Sequence, residues 1–183
     1  MKRLGLLFCT LALLSLSLLP LILNAEKIRF ARQEPFYGAP VPAPSGNLFI
    51  RNDAYGKGFF TASRNGGRQH KGVDFIAAYG APVYAAKSGR ITVSTQEKGY
   101  GDWIEVLHPD GLRSRYAHLS GRVRREGDWV DKNMLIGYVG KSGNAGNPKM
   151  ICHLHFEIRK EEGVLNPSSN LLDRNLVVTN KIS

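Results

Sequence analysis

Cysteine is nearly absent, and the little there is excludes an internal disulfide. The 183 residues hold two cysteines. Cys9 lies in an uncharged N-terminal run, which leaves Cys152 alone, and a lone cysteine makes no internal bridge. Stability must come from a packed core, with a bound metal as the other available support. Acidic residues are also scarce, 15 against 25 Lys and Arg, for a net charge of +10. A basic chain is drawn to polyanions such as wall polymers or anionic lipid. Nucleic acid is not an expected partner, because no nucleic-acid motif occurs. A helical apolar period is missing too. No segment between residues 48 and 166 keeps a 3.6-residue repeat over helical length.

What is present begins with Met1-Lys2-Arg3, followed by the 20 uncharged residues Leu4 to Leu23. The run exceeds the usual secretory core of about 7–15 residues. It matches a single membrane span of about 20 residues. Residues 1–25 therefore read as a cleaved signal peptide or a retained membrane anchor. Ala25 is the candidate cleavage position, although Leu23 is a poor small-residue substitute. Both readings leave Lys2 and Arg3 in the cytoplasm and export the rest to the periplasm or cell envelope. In the second reading the membrane is a partner. Residues 26–47 carry prolines at 35, 40, 42 and 44. They read as a semi-rigid linker long enough to cross a groove. A domain is expected over 48–170 and a polar tail over 171–183.

Within the domain, glycines punctuate short β-branched and aromatic runs. This spacing predicts an all-β sheet or sandwich. WIEVLH and LRSRYAHL flank Pro109-Asp110-Gly111, the composition of a hairpin turn. The plain reading of His108, at that turn, is a hairpin role.

The stretch ICHLHFEIRK carries the chemistry. Residues two apart share one face of a strand, so His153, His155 and Glu157 point one way. Cys152, Leu154, Phe156 and Ile158 point the other way and form an apolar face. Cys152 is thereby read as a small apolar residue rather than a ligand. On a helix the two histidines would diverge by about 200° and could not meet at one ion. In HKGVD, His70 and Asp74 share a face if the segment is extended. Neighbouring strands could then present His70, Asp74 and one histidine of the pair to one point. Three N/O ligands with an open position are the pattern of a catalytic zinc site. Glu157, on the same face, is placed to accept an N–H from a ligand imidazole. The plain alternative for it is an exposed strand carboxylate. His118, in RYAHLS, sits where a strand enters a loop.

Together HKGVD, RYAHLS, GYVGKSGNAGN and HLHFEI resemble the lysostaphin-like, or LytM-type, zinc endopeptidases of bacterial cell walls, over about residues 40 to 170. The resemblance implies a two-sheet antiparallel β sandwich with a substrate groove. It implies one Zn2+ held by His70, Asp74 and His155, with His118 and His153 as the catalytic pair. It implies hydrolysis of stem peptides or cross-links of peptidoglycan; separately, a monomer is expected. NPKMIC, between Gly146 and His153, departs from many relatives and is placed to alter a groove wall. The alternative is a wall-binding or regulatory module of the same fold that no longer cuts; such a module would normally have lost one of these five residues.

Overall fold

The computed structural model describes residue 25, residues 28–169 and residues 172–180. The hydrophobic run, and with it the choice between signal and anchor, lies outside the described residues. No described helix is long and apolar enough to cross a membrane.

The described chain is built from short strands. They are β1 Asn47–Ile50, β2 Asn52–Asp53, β3 Gly56–Lys57, β4 Ser63–Arg64, β5 Arg68–Gln69, β6 Val73–Ile76, β7 Pro82–Tyr84 and β8 Gly89–Glu97. There follow β9 Gly101–Leu107, β10 Arg113–Arg122, β11 Trp129–Val130, β12 Leu135–Val139, β13 His153–Arg159, β14 Val164–Leu165 and β15 Val177–Asn180. Eleven of them join in one sheet with the order β11-β8-β9-β10-β13-β6-β1-β15, to which β12, β7 and β14 attach. The pairs β2-β3 and β4-β5 stand apart as small hairpins.

This differs in two ways from two antiparallel sheets. The sheet is mixed, since β1 and β15 run parallel with Asn47 opposite Val177. It is also continuous, because β10 changes partner along its length. Arg113 to Ala117 pair with β13. Leu119 to Arg122 pair with β12. The switch falls at His118, whose φ is +64°, a left-handed value that is uncommon outside glycine. The strand bends there, and one ladder divides into two arms. Apolar faces of all the arms, including Phe75, Phe156, Ile104, Ile136 and Leu48, meet in a single core cluster.

The hairpin β9-β10 forms around residues 108–112. His108 N donates to Leu112 O at 2.9 Å and Gly111 N to His108 O at 2.9 Å.

Residues on either side of the expected domain also pack into it. Tyr37 and Val41 belong to the core cluster. Gly38 N donates to Ala86 O at 2.7 Å and Tyr84 N to Pro40 O at 3.0 Å. Tyr37 meets Phe156 edge to face, with centroids 6.5 Å apart. That places this part of the Pro-rich segment on the apolar side of β13, opposite the side that carries the histidines. Residues 177–180, expected as tail, form β15.

Candidate metal centre

The site grows from the register of three strands. His155 on β13 lies directly opposite Asp74 on β6 and Ala117 on β10. Asp74 and His155 therefore emerge side by side on one face. His70 precedes β6, and its backbone pairs with the turn at Thr61 and Ala62. Between His70 and Asp74 the chain passes so close to β13 that a Cβ at Gly72 would lie 2.3 Å from Phe156 O. Only glycine fits that approach.

Three donor atoms converge. His70 Nε2 lies 2.9 Å from His155 Nδ1, His155 Nδ1 lies 2.9 Å from Asp74 Oδ1, and His70 Nε2 lies 3.1 Å from Asp74 Oδ1. The far side of each group is already committed. His70 Nδ1 donates to Phe59 O at 2.8 Å. His155 Nε2 donates to Glu157 Oε1 at 3.0 Å. Asp74 Oδ2 accepts from Arg51 Nη2 at 3.0 Å and from Arg64 Nη2 at 3.3 Å. Each commitment turns a lone pair of the remaining atom into the triangle. Three lone pairs about 3 Å apart repel unless a cation sits between them. Ligand atoms on tetrahedral zinc, at bonds near 2.0–2.1 Å, are about 3.3 Å apart. The residues thus fit a metal ion, and all three are buried.

The electrostatics agree. Burial alone would raise the Asp74 pKa, but hydrogen bonds from His155 and His70 hold it well below the usual carboxylate range. Burial opposes charge on His155, yet hydrogen bonds to Asp74 and Glu157 outweigh it and raise its pKa to about 9.

Two further histidines face this triangle. The His118 ring lies 5.3 Å from the His153 ring and 5.7 Å from the His155 ring, centroid to centroid. His118 Nδ1 donates to Ser142 O at 3.0 Å, and His153 Nδ1 donates to Ile151 O at 2.7 Å. Each ring is therefore held with Nε2 unprotonated. Burial, reinforced by the imidazoles of His155 and His153, pushes the His118 pKa down to about 3. Burial also lowers that of His153, partly offset by Asp74. Both rings are neutral at pH 7.

The five sequence-predicted residues thus meet in one place, and Glu157 touches His155. Glu157 is only 1% exposed, so it is not an exposed strand carboxylate. Its Oε1 also accepts Tyr100 Oη–H at 2.7 Å, and Arg159 Nη1 donates to its Oε2 at 2.5 Å. Cys152 is part-buried, with its thiol donating to Gly140 O at 3.3 Å. It stays out of the triangle. Sequence reasoning missed Arg51, Arg64, Tyr100 and Ser142. Arg51 left one signal, a cation directly after the apolar run LFI.

Comparison with known proteins gives a consistent picture. Residues 68–167 match the sequence profile of Peptidase family M23. Over 102 residues the chain is 38% identical to the DD-carboxypeptidase/endopeptidase Mpg of Neisseria meningitidis serogroup B, covering 56% of this chain and 23% of that protein. The catalytic domain of lysostaphin from Staphylococcus simulans superposes with a TM-score of 0.53 at 32% identity, covering 64% of this chain and 89% of that one. A chain of the SpoIIQ-SpoIIIAH pore forming complex superposes with a TM-score of 0.59 at 29% identity, covering 76% and 92%. The chain spans about a fifth of the length of the curated relatives it matches.

Proposed function

The chain belongs to peptidase family M23, and on that premise we propose that it is a zinc endopeptidase that hydrolyses the peptide part of peptidoglycan. The observation that carries this reading is the triangle of His70 Nε2, Asp74 Oδ1 and His155 Nδ1, with edges of 2.9–3.1 Å. Two imidazoles and one carboxylate are a donor set suited to a single catalytic zinc, and they leave a position open. When bound, zinc supplies Lewis acidity, including a water pKa lowered to about 7.

The chain's own residues do the rest. Phe59 O and Glu157 keep the two ligand imidazoles in the tautomers that bind a metal. His118 and His153 each present Nε2 as a free base, because their Nδ1–H groups are spent on backbone carbonyls. One takes the proton of the attacking water at Nε2. Once protonated, the same nitrogen is a donor that returns the proton to the leaving amine. The other ring would support the developing oxyanion as a donor only in its protonated form, when Nε2 carries an N–H. Burial keeps both rings uncharged, with Nε2 open to a proton.

The proposed place of action is the cell envelope outside the cytoplasmic membrane, where the substrate lies and where the charge pattern of residues 1–25 points. Mpg and lysostaphin, each named as a peptidase, support the reaction class, and the similar peptidoglycan DD-endopeptidase ShyC of Vibrio cholerae supports the substrate class. The likeness to a chain of the SpoIIQ-SpoIIIAH pore forming complex fits an assembly or binding module, yet such a module has no use for two oriented Nε2 bases beside a metal triad. Digestion of purified sacculi, followed by mass spectrometry of the released muropeptides, tests the proposal and names the bond. Zinc-loaded wild-type protein that releases nothing from any wall type overturns it in favour of the binding module.

A further inference from the structure

Arg51 has no place in the chemistry above, yet it is a buried cation with a side chain only 3% exposed. It lies one residue after β1, and its backbone is pinned beside the ligand carboxylate. Arg51 N donates to Asp74 O at 2.9 Å, Gly58 N to Arg51 O at 2.7 Å, and Asp74 N to Gly58 O at 2.9 Å. A Cβ at Gly58 would lie 2.7 Å from Asp74 Cβ, so the three strands of chain are packed as closely as glycine allows.

The guanidinium forks in two directions. Nη2 and Nε reach Asp74 Oδ2 at 3.0 and 3.4 Å. Nη1 reaches Asp53 Oδ1 at 2.8 Å. The other oxygen of Asp53 accepts from Ile151 N at 2.9 Å. The carbonyl of that same Ile151 accepts the Nδ1–H of His153 at 2.7 Å. A continuous chain of contacts therefore runs from the metal-ligand carboxylate through Arg51 and Asp53 to Ile151, the residue whose carbonyl orients His153. Lys141 Nζ holds the preceding carbonyls of Asn147, Pro148 and Met150, the last of which belongs to the same peptide unit as Ile151 N.

We propose that Arg51 is a positioning residue for this site, a strut that fixes the metal-ligand carboxylate and the catalytic histidine His153 relative to one another through Asp53. The proposal rests on the peptidase reading above. Its physical content is directional. A planar fork with donors on two edges can engage two carboxylates at once, whereas an ammonium is a point charge. By occupying Oδ2, the fork leaves Oδ1 as the one oxygen of Asp74 that faces the triangle. By holding Asp53, it anchors the backbone at Ile151, the residue whose carbonyl accepts from His153 Nδ1 and so directs His153 Nε2. Outer partners of this kind are commonly worth 10–100-fold in metal affinity or activity.

The test uses the full chain and two variants. Arg51→Lys keeps the charge and removes the fork. Asp53→Ala keeps the Arg51–Asp74 contact and cuts the link to Ile151. Zinc affinity is read by chelator competition, ligand geometry by the visible spectrum of the cobalt-loaded protein, folding by thermal melting, and kcat and KM at saturating zinc. Arg51→Lys is expected to weaken zinc binding about tenfold, shift the cobalt bands and lower kcat about tenfold or more. Asp53→Ala is expected to hold zinc within about threefold of wild type and lower kcat about tenfold, with KM little changed. Wild-type affinity and turnover in Arg51→Lys overturn the strut, since neutralising charge alone would then suffice. Equal loss of zinc and of melting temperature in both variants also overturns it, in favour of a purely structural cluster. Wild-type protein that binds zinc but leaves sacculi intact overturns the peptidase reading and the His153 half of the strut. The zinc affinity of Arg51→Lys still decides the Asp74 half.

Discussion

Glu157 Oε1 stands 3.0 Å from His155 Nε2, on the opposite edge of the ring from Asp74. Two carboxylates thus hold one imidazole between them. The Asp74 side is where a metal would bind; the Glu157 side fixes which nitrogen stays protonated. Glu157→Gln keeps the shape and loses the charge that would strengthen His155 as a metal ligand. The expected result is a zinc affinity about tenfold weaker in chelator competition, with the fold retained. Tyr100→Phe removes one of three partners of Glu157 and should cost clearly less in the same assay.

The four site histidines should separate by role. His155→Ala removes a triangle atom, so elemental analysis should find zinc lost. His118→Ala and His153→Ala leave the triangle whole, so zinc should stay near one ion per chain. Their turnover on sacculi should fall about 10²–10⁴-fold, the usual worth of a positioned acid–base group. If either variant loses zinc instead, that ring is a ligand and its place in the chemistry changes.

Much of this site was legible because strand periodicity is a simple geometric rule. In HLHFEIR the alternation separated Leu154, Phe156 and Ile158 from His153, His155 and Glu157, and the three apolar residues are in the core. Pro109-Asp110-Gly111 marked the β9-β10 hairpin for the same local reason. What stayed hidden depends on distant partners. Proline content made residues 26–47 look like a linker, yet Tyr37 and Val41 fill the core. The parallel pairing of β1 with Val177–Asn180 joins segments about 130 residues apart, and no local pattern encodes it. The partner switch of β10 rests on a positive φ at His118, which a non-glycine residue does not announce. Arg51 and Arg64 act on Asp74 from separate segments of the chain, so only the fold unites them.

Gly72 provides a test of how tightly the triad is built. A Cβ there would meet Phe156 O at 2.3 Å and Glu157 Cγ at 2.9 Å. The backbone oxygen cannot swing aside as a side chain would, so β6 and β13 must separate. Gly72→Ala is expected to cost about 1–3 kcal/mol in urea unfolding, the range of an overpacked core. Zinc affinity should drop with it, because Asp74 and His155 sit on the two strands that part. A neighbouring exposed change, Lys71→Ala, should leave both unchanged.

His108 makes stability itself depend on pH, away from the metal centre. The ring is 2% exposed, with Nδ1 donating to Ser88 O at 2.9 Å and Nε2 accepting from Ser114 Oγ at 2.9 Å. Tyr37 packs edge-on at 5.3 Å. Burial pushes its pKa down to about 4; Ser88 O, Asp110 and Glu34 oppose that, while Lys87 adds to it. The unfolded chain titrates near 6.5. Between about pH 6.5 and 4 the unfolded state therefore binds the proton that the folded state refuses. Stability is full above pH 6.5, falls as pH drops through that window, and loses no more from this group below about 4. A drop of that size corresponds to roughly 3 kcal/mol. Urea unfolding at pH 7 and pH 4 should show that loss in the wild type, beyond whatever other groups contribute. His108→Gln has no titrating ring, so its loss between the same two pH values should be smaller by about that amount. Equal losses in the two proteins would mean that His108 is accommodated in its charged form.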